Sequence, residues 1–516
     1  REGGPAADAM VAVQPVLGLV EPQSSGLGGG AFLVWYDANS GEVTTLDGRE
    51  TAPLDATPTL FQTPDGETMG FFDAVVGGRS VGTPGTPALM QAAHDKWGQS
   101  DWASLFAEAI DLAEGGFTVS PRLANLVAGD AERLGRFRST QDYFFPGGTA
   151  IAAGDTLVNT DYANTLRLMA AEGAEAFYTG PIASDIVATV RTAAGNPGVL
   201  TRADLALYEV KERAPVCVPY RAHEVCGMGP PSSGALTIGQ ILGMLDGYDL
   251  ASLGPDSADA WRLIGDASRL AFADRGLYMA DSDYVPMPTK GLVAPDYLQD
   301  RGQLLSGDDA LPEVSAGSPE WDHAFDLAPD ESLELPSTSH ISIVDSYGNA
   351  LSMTTTIENG FGSRLFVRGF LLNNELTDFS FRTHRDGRPI ANRLEPGKRP
   401  RSSMAPTIVM TDGAPSLVIG SPGGSRIIGY VAQAIIAHVD WGMDVQQAVS
   451  MPHLVNRFGT YDLEDGTTAS DLEEALVGFG YEVNLRGLNS GLHAIAIGET
   501  LSGGADPRRE GIALGE

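Results

Sequence analysis

The chain has 516 residues, of which 43% are hydrophobic and 19% charged, with a formal net charge of -34. That composition excludes a disordered chain and is long enough for two substantial layers or lobes. The acidic balance argues against nucleic acid or anionic membranes as partners, and no run of about 18 uninterrupted apolar residues predicts a membrane span.

Arg1 to Met10 shows no signal-peptide pattern, and Ala6 to Val20 reads as an apolar helix. The Gly-rich run Gln23 to Gly30 matches the letters of a dinucleotide fingerprint, but the strand pattern Phe32–Tyr36 follows the glycines instead of preceding them. The nucleotide reading therefore fails on context. A second strand ends in Leu46-Asp47-Gly48-Arg49-Glu50-Thr51-Ala52-Pro53. Trp102, Leu105, Phe106, Ala109, Ile110 and Ala113 form an amphipathic stripe closed by Gly115-Gly116. Cys217 and Cys226 are the only two cysteines. They flank a turn between two short strand patterns, so a hairpin disulfide and a pair of small buried thiols are both open. Pro230-Pro231-Ser232-Ser233-Gly234 precedes a helix carrying Ile238, Ile241, Leu242 and Leu245. Its serines suit a helix cap. A further long helix runs through Trp261 and Phe272.

From about 306 to 337 the composition changes. This stretch has no Lys or Arg and several acids and prolines, which predicts an exposed, mobile segment. A strand pattern then begins at Thr338. Asp345-Ser346-Tyr347-Gly348-Asn349 reads as a turn, and a second strand runs from Ala350 to Ile357. Ile341 and Ile343 fall on one face; His340, Ser342 and Val344 fall on the other. A hairpin centred on Tyr347 pairs residues equidistant from it, so Thr338 and Thr356 should meet on the same face. A chain break at Ser337–Thr338 would give Thr338 a free α-amine with a pKa near ~8, able to serve as base to its own hydroxyl. Farther on, Thr407–Met410 and Leu417–Ile419 form a strand pair, and Pro422-Gly423-Gly424-Ser425 leads into a helix. Its N-terminal amides favour negative charge.

Four runs together carry a resemblance. They are Thr338-Ser339-His340-Ile341-Ser342-Ile343-Val344-Asp345, Leu371-Leu372-Asn373-Asn374-Glu375-Leu376-Thr377-Asp378-Phe379, Lys398-Arg399-Pro400-Arg401-Ser402-Ser403-Met404 and Gly420-Ser421-Pro422-Gly423-Gly424-Ser425-Arg426. In order and rough spacing the chain resembles the gamma-glutamyltranspeptidases. The resemblance implies an α+β fold, the four-layer αββα sandwich of the N-terminal-nucleophile hydrolases. It implies one precursor that cuts itself before Thr338, giving a large subunit 1–337 and a small subunit 338–516. Thr338 would be nucleophile and base, and Thr356 would orient its hydroxyl. The amides of Gly423 and Gly424 would hold the oxyanion. Arg49, Ser402 and Ser403 would take the substrate α-carboxylate, and Glu358, Glu375 and Asp378 the α-ammonium. No cofactor and no metal are implied. The expected partners are a small γ-glutamyl substrate and a water, amino-acid or peptide acceptor. The expected address is periplasmic or extracellular, with any export signal outside this sequence.

The chain departs from that pattern in two places. Glu358 stands where the better-known transpeptidases carry Asn, and the segment between Asp378 and Gly397 is shorter than their lid. Two rival readings follow: a glutaryl or cephalosporin acylase of the same fold, and an inactive binding protein that keeps the fold. No G-x-S-x-G elbow or H-E-x-x-H helix supports a serine hydrolase or a zinc protease.

Overall fold

The computed structural model describes residues 4–323, 326–330, 332 and 334–515. Two antiparallel sheets face each other, with helices on both outer faces. The first sheet runs, edge to edge, Lys211–Arg213, Val43–Gly48, Gly30–Tyr36, Ala350–Thr356 and Ser339–Val344. The second runs Leu501–Ala505, His493–Ile497, Ala414–Gly420, Thr407–Thr411, His223–Gly227 and Val216–Tyr220.

Strand alternation builds the layers. Val34, Tyr36 and Ala350 of the first sheet meet Ile408, Met410 and Val418 of the second in one buried cluster. Their neighbours Leu33, Trp35, Leu351, Met353 and Ile341 face outward and pack with helix Ala6–Val20 and with Leu89 and Met90 of helix Thr86–Trp97. Val409, Leu417 and Ile419 do the same on the far side, against helices Gly234–Leu245 and Ile427–Val439. Helix Ile427–Val439 is apolar nearly all round, as a helix buried between layers must be. This is the α+β, αββα arrangement expected.

The strands on either side of Thr338 are interleaved. Gly30–Tyr36 pairs with Val43–Gly48 on one side and with Ala350–Thr356 on the other. A cut at Ser337–Thr338 would therefore leave two pieces sharing both sheets and neither core complete alone.

The hairpin register is the one that its turn predicts: Ser339 pairs with Thr355, His340 with Thr354 and Val344 with Ala350. Antiparallel order then gathers four chain ends at one edge. Strands Val43–Gly48 and Ala350–Thr356 finish there, Ser339–Val344 starts there, and Ala414–Gly420 of the other sheet ends beside it. Arg49, Thr356, Thr338 and the Gly423-Gly424 turn are thus placed by topology alone.

Cys217 and Cys226 occupy a registered pair of an edge hairpin and form a disulfide. Of the two serines expected to cap helix Gly234–Leu245, Ser232 accepts the Gly234 amide at 2.9 Å, while the Ser233 hydroxyl donates to the Ser402 carbonyl at 2.7 Å. One sequence expectation is corrected. The expectation that the acidic segment is exposed fails at Leu327, Ala328, Asp330, Glu334 and Ser337, which are buried. The reason is charge pairing: Asp330 and Glu334 lie against Arg401 and Arg275 rather than in water.

Candidate active site

The chain is continuous across Ser337–Thr338, so the structure is that of the uncut form. Thr338 sits one residue before its strand with φ at +86°. A β-branched residue rarely adopts that conformation, which costs on the order of 1–3 kcal/mol and must be held by its surroundings. The holds are visible. Arg509 donates to the Thr338 carbonyl at 2.8 Å, and the Ser337 hydroxyl donates to the Gln23 carbonyl at 3.0 Å. The Thr338 and Thr356 hydroxyls are 3.1 Å apart. Thr356 Oγ1 also accepts from the Glu358 amide at 2.8 Å, which fixes its rotamer.

Beside this pair lies a small cavity lined in part by Arg49, Thr356, Glu358, Glu375, Asp378 and Ser403. The chain's own Glu334 and Leu335 line it too, and it holds only about 20 Å³ of free space. Gly424 lines it as well and lies against the backbone of Glu334 and Leu335: a Cβ there would come within 2.8 Å of both. Its φ of +60° likewise favours glycine. Gly423 is packed instead against the Tyr430 ring.

Arg49 is fully buried, and burial alone would lower its pKa. Glu375, Asp378 and Glu50 outweigh burial and hold the guanidinium charged. It is bonded to Glu375 through Nη1, and to Asp378 at 2.5 Å and the Arg401 carbonyl at 2.9 Å through Nη2. Its Nε reaches the Pro400 carbonyl at 3.2 Å. In this structure Arg49, expected to take a substrate carboxylate, has Glu375 and Asp378 as its counter-ions.

The acids outnumber that one cation. Desolvation lifts the Glu50 carboxyl to about 7 and the Asp378 carboxyl to about 6, despite Arg49. Desolvation, with the Asp378 charge added, pushes Glu358 well above the carboxylate range, and Glu375 is raised likewise in spite of Arg49. Both Glu50 oxygens and one oxygen each of Glu358, Glu375 and Asp378 have no hydrogen-bond partner. Such buried acceptors call for donors.

On the other side, Ser403 Oγ donates to Glu334 and accepts from Arg275 at 2.7 Å. Ser402 lines the cavity as well, its Oγ accepting from the Met404 amide at 3.1 Å. Glu50, Arg275, Arg401 and Glu334 escaped the sequence reading. Glu50 and Arg401 sit inside quoted motifs and were findable there; Arg275, within a long helix, and Glu334 carried no local signal.

A threonine hydroxyl at the head of a strand, in an αββα sandwich and against a second hydroxyl, defines the fold of the N-terminal-nucleophile hydrolases. The chain belongs to the gamma-glutamyltranspeptidase family, whose model matches residues 1–516. It is 37% identical to the glutathione hydrolase proenzyme of Bacillus subtilis (strain 168), over 100% of this chain and 88% of that protein. It is 34% identical to an acylase proenzyme of Pseudomonas sp. (strain SE83), over 99% and 89% respectively. Among solved structures it is similar to a cephalosporin acylase from Bacillus halodurans, with a TM-score of 0.85 and 25% identity over 98% of this chain and 90% of that one.

Proposed function

We propose that the chain cuts itself at Ser337–Thr338 and then, as subunits 1–337 and 338–516, hydrolyses and transfers γ-glutamyl groups of glutathione-like amides. In the first step Thr338 Oγ attacks the Ser337 carbonyl, the Thr338 nitrogen leaves to give an ester, and water hydrolyses that ester. The products are a carboxylate on Ser337 and a free amine on Thr338. In turnover that amine takes the hydroxyl proton as Oγ attacks the γ-carbonyl. The leaving amine takes the proton, and a γ-glutamyl ester remains on Thr338. Water or an acceptor amine then resolves it. Thr356 orients the nucleophile, and the Gly423 and Gly424 amides stabilise the oxyanion, where one donor is worth about 3–4 kcal/mol.

The observation that carries this reading is the 3.1 Å contact between the Thr338 and Thr356 hydroxyls, made at a strained residue on the edge of an acid-lined cavity. The unpartnered oxygens of Glu358, Glu375, Asp378 and Glu50 favour a substrate that brings an amine, because an ammonium supplies three donors. A glutaryl chain brings none. The acylase reading is kept for the likeness to the cephalosporin acylase of Bacillus halodurans. A periplasmic or extracellular address fits the Cys217–Cys226 disulfide, since disulfides persist in oxidising compartments.

Two measurements test the proposal. Thr338→Ala should give one full-length, inactive band on a denaturing gel, where the unmutated chain gives two. The unmutated enzyme should turn over γ-glutamyl-p-nitroanilide at least ~100-fold better in kcat/KM than glutaryl-7-aminocephalosporanic acid, a gap of about 2.7 kcal/mol. A processed Thr338→Ala chain would overturn the cleavage mechanism, and preference for the glutaryl compound would replace the transpeptidase reading with the acylase one.

A further inference from the structure

We propose that Arg457, with Arg426 and Arg486 beside it, receives the terminal carboxylate of the amine that leaves, or attacks, the acyl group on Thr338. The enzyme therefore favours peptide-like leaving groups and acceptors that end in a free carboxylate. The inference rests on the proposed γ-glutamyl function and extends it from the γ-glutamyl head to the other end of the amide.

The three guanidiniums are gathered on one acid. Arg426 grips Asp462 through Nε at 3.0 Å and Nη2 at 2.7 Å, Arg457 reaches it through Nη2 at 3.5 Å, and Arg486 Nη1 stands 3.8 Å from it. Asn484 donates to the same carboxylate at 3.1 Å. Among the described residues no other carboxylate forms an ion pair with these arginines. Three positive charges against one negative leave a local excess of positive charge, in a chain whose formal net charge is -34. Burial, and then the Arg426 charge, lower the Arg457 guanidinium to about 10, and Asp462, Tyr430 and Glu334 only partly offset them. An arginine so placed is short of negative charge.

The cluster stands at the rim of the Thr338 cavity. Arg457 Nη1 donates to Ser425 Oγ at 2.6 Å, and Ser425 follows Gly424, which lines that cavity. The backbone of Glu334 and Leu335 covers Gly424, so departure of that segment on the proposed cut opens the cavity toward Arg457. Consecutive Cα atoms are about 3.8 Å apart, and an extended dipeptide spans about 7 Å. A dipeptide leaving from a carbonyl held at Gly424 can therefore place its carboxylate on Arg457. Phe458 is 67% exposed; it carries the Arg457 guanidinium over its ring at 5.3 Å and stands edge-on to Phe272 at 5.5 Å, which offers leaving-group side chains an apolar wall. An acceptor amine approaches the ester along the path by which the leaving amine departed, so one seat serves both. Arg suits the task because its planar fork grips a carboxylate through paired donors. A role confined to bracing the Gly423-Gly424 turn gives no dependence on the far end of the amide.

The test uses the cut, full-length enzyme and two substrates that differ at one group, γ-glutamyl-glycylglycine and its C-terminal carboxamide. The unmutated enzyme should show kcat/KM at least ~10-fold higher for the carboxylate, the scale of a hydrogen bond to a charged group. The gap should shrink as salt rises, because the seat is partly exposed. Arg457→Gln should raise KM for the carboxylate compound about 10-fold, with kcat changed less, and bring the two substrates within about 3-fold of each other. Arg457→Lys should restore part of the gap. Glycylglycine and glycylglycinamide, compared as acceptors of the γ-glutamyl group, should follow the same pattern. Equal turnover of the two amides by the unmutated enzyme would overturn the seat, and that comparison stands even if Arg457→Gln does not fold or is not cut. So would a preference that survives Arg457→Gln, or a variant that slows both compounds alike. γ-Glutamyl-p-nitroanilide, whose leaving group has no carboxylate, keeps the two readings apart. Its turnover without any carboxylate preference overturns the seat alone; no turnover of any γ-glutamyl compound overturns the proposed function and the seat with it.

Discussion

Replacing Thr356 by Val removes one hydroxyl and almost no volume. The hydroxyl is buried and does two things: it contacts Thr338 Oγ1 at 3.1 Å and accepts the Glu358 amide at 2.8 Å. Loss of the second contact strands a buried N–H, which costs about 1–3 kcal/mol of stability. Spread over so large a chain, this lowers the melting temperature by only a few degrees, roughly 2–4 °C by the scale of smaller domains. Loss of the first contact leaves the nucleophile free to rotate away from its target carbonyl. Orientation and proton-transfer help of this type is worth about 100-fold or more. Self-cleavage and turnover should therefore both slow by about two orders of magnitude in a folded protein, while Thr356→Ser, which keeps the hydroxyl, should retain most of both. A gel time course after expression reads cleavage, and γ-glutamyl-p-nitroanilide release reads turnover. Wild-type rates in Thr356→Val, or equal loss in Val and Ser, would refute the reasoning.

Asp378→Asn should lower kcat/KM for γ-glutamyl-p-nitroanilide by at least ~10-fold, since a hydrogen bond to a charged group is worth about 1.5–3 kcal/mol, and should hardly change that for a glutaryl substrate. Burial raises the Glu50 carboxyl from 4.5 to about 7, so the folded chain binds the extra proton and Glu50 costs stability as pH rises through that interval. Buried His340, His453 and His493 are shifted down and act in the opposite sense. The clean measurement is thus a difference: in urea melts of uncut Thr338→Ala chains, Glu50→Gln should gain on Glu50 as pH rises from 5 to about 7 and level off above it, and a flat difference from pH 5 to 7 would contradict the burial argument. The Cys217–Cys226 bond closes a loop of nine-residue separation, and its reduction should cost about 3 kcal/mol in denaturant melts. It should leave turnover unchanged, because the bond lies in the edge hairpin of the second sheet; lost activity would tie that hairpin to the site.

The fold was readable wherever local pattern and layer agreed. Alternation in Ser339–Val344 placed Ile341 on the helix side and His340 and Val344 between the sheets, and the Tyr347 turn fixed the register that brings Thr338 to Thr356. No long-range information was needed, since both strands and the turn lie within twenty residues of one another. Misreadings arose where partners come from far away in sequence. Composition alone makes Asp330 and Glu334 look solvated, because their partners Arg401 and Arg275 lie 71 and 59 residues distant. The pairing of Arg49 with Glu375 and Asp378, more than 320 residues away, likewise has no local signal.

These errors share one physical cause, and it is informative. Ordinary cores avoid charge, and a chain selected only for stability would not line one small cavity with a guanidinium and four carboxylates and set two more buried guanidiniums behind them. Here the ion pairs are also divided unevenly. The pairs of Arg275 and Arg401 include acids from the segment that precedes Thr338. The acids around Arg49, in contrast, exceed their cation and retain unpartnered oxygens. On the proposed cut, departure of that segment would open the first imbalance, which asks for an anion. The second is present from the start, and asks for a cation with several donors. A zwitterion answers both at once, and a single negative charge answers only one. The places where the sequence broke the rules of a stable core are therefore the places that specify the ligand.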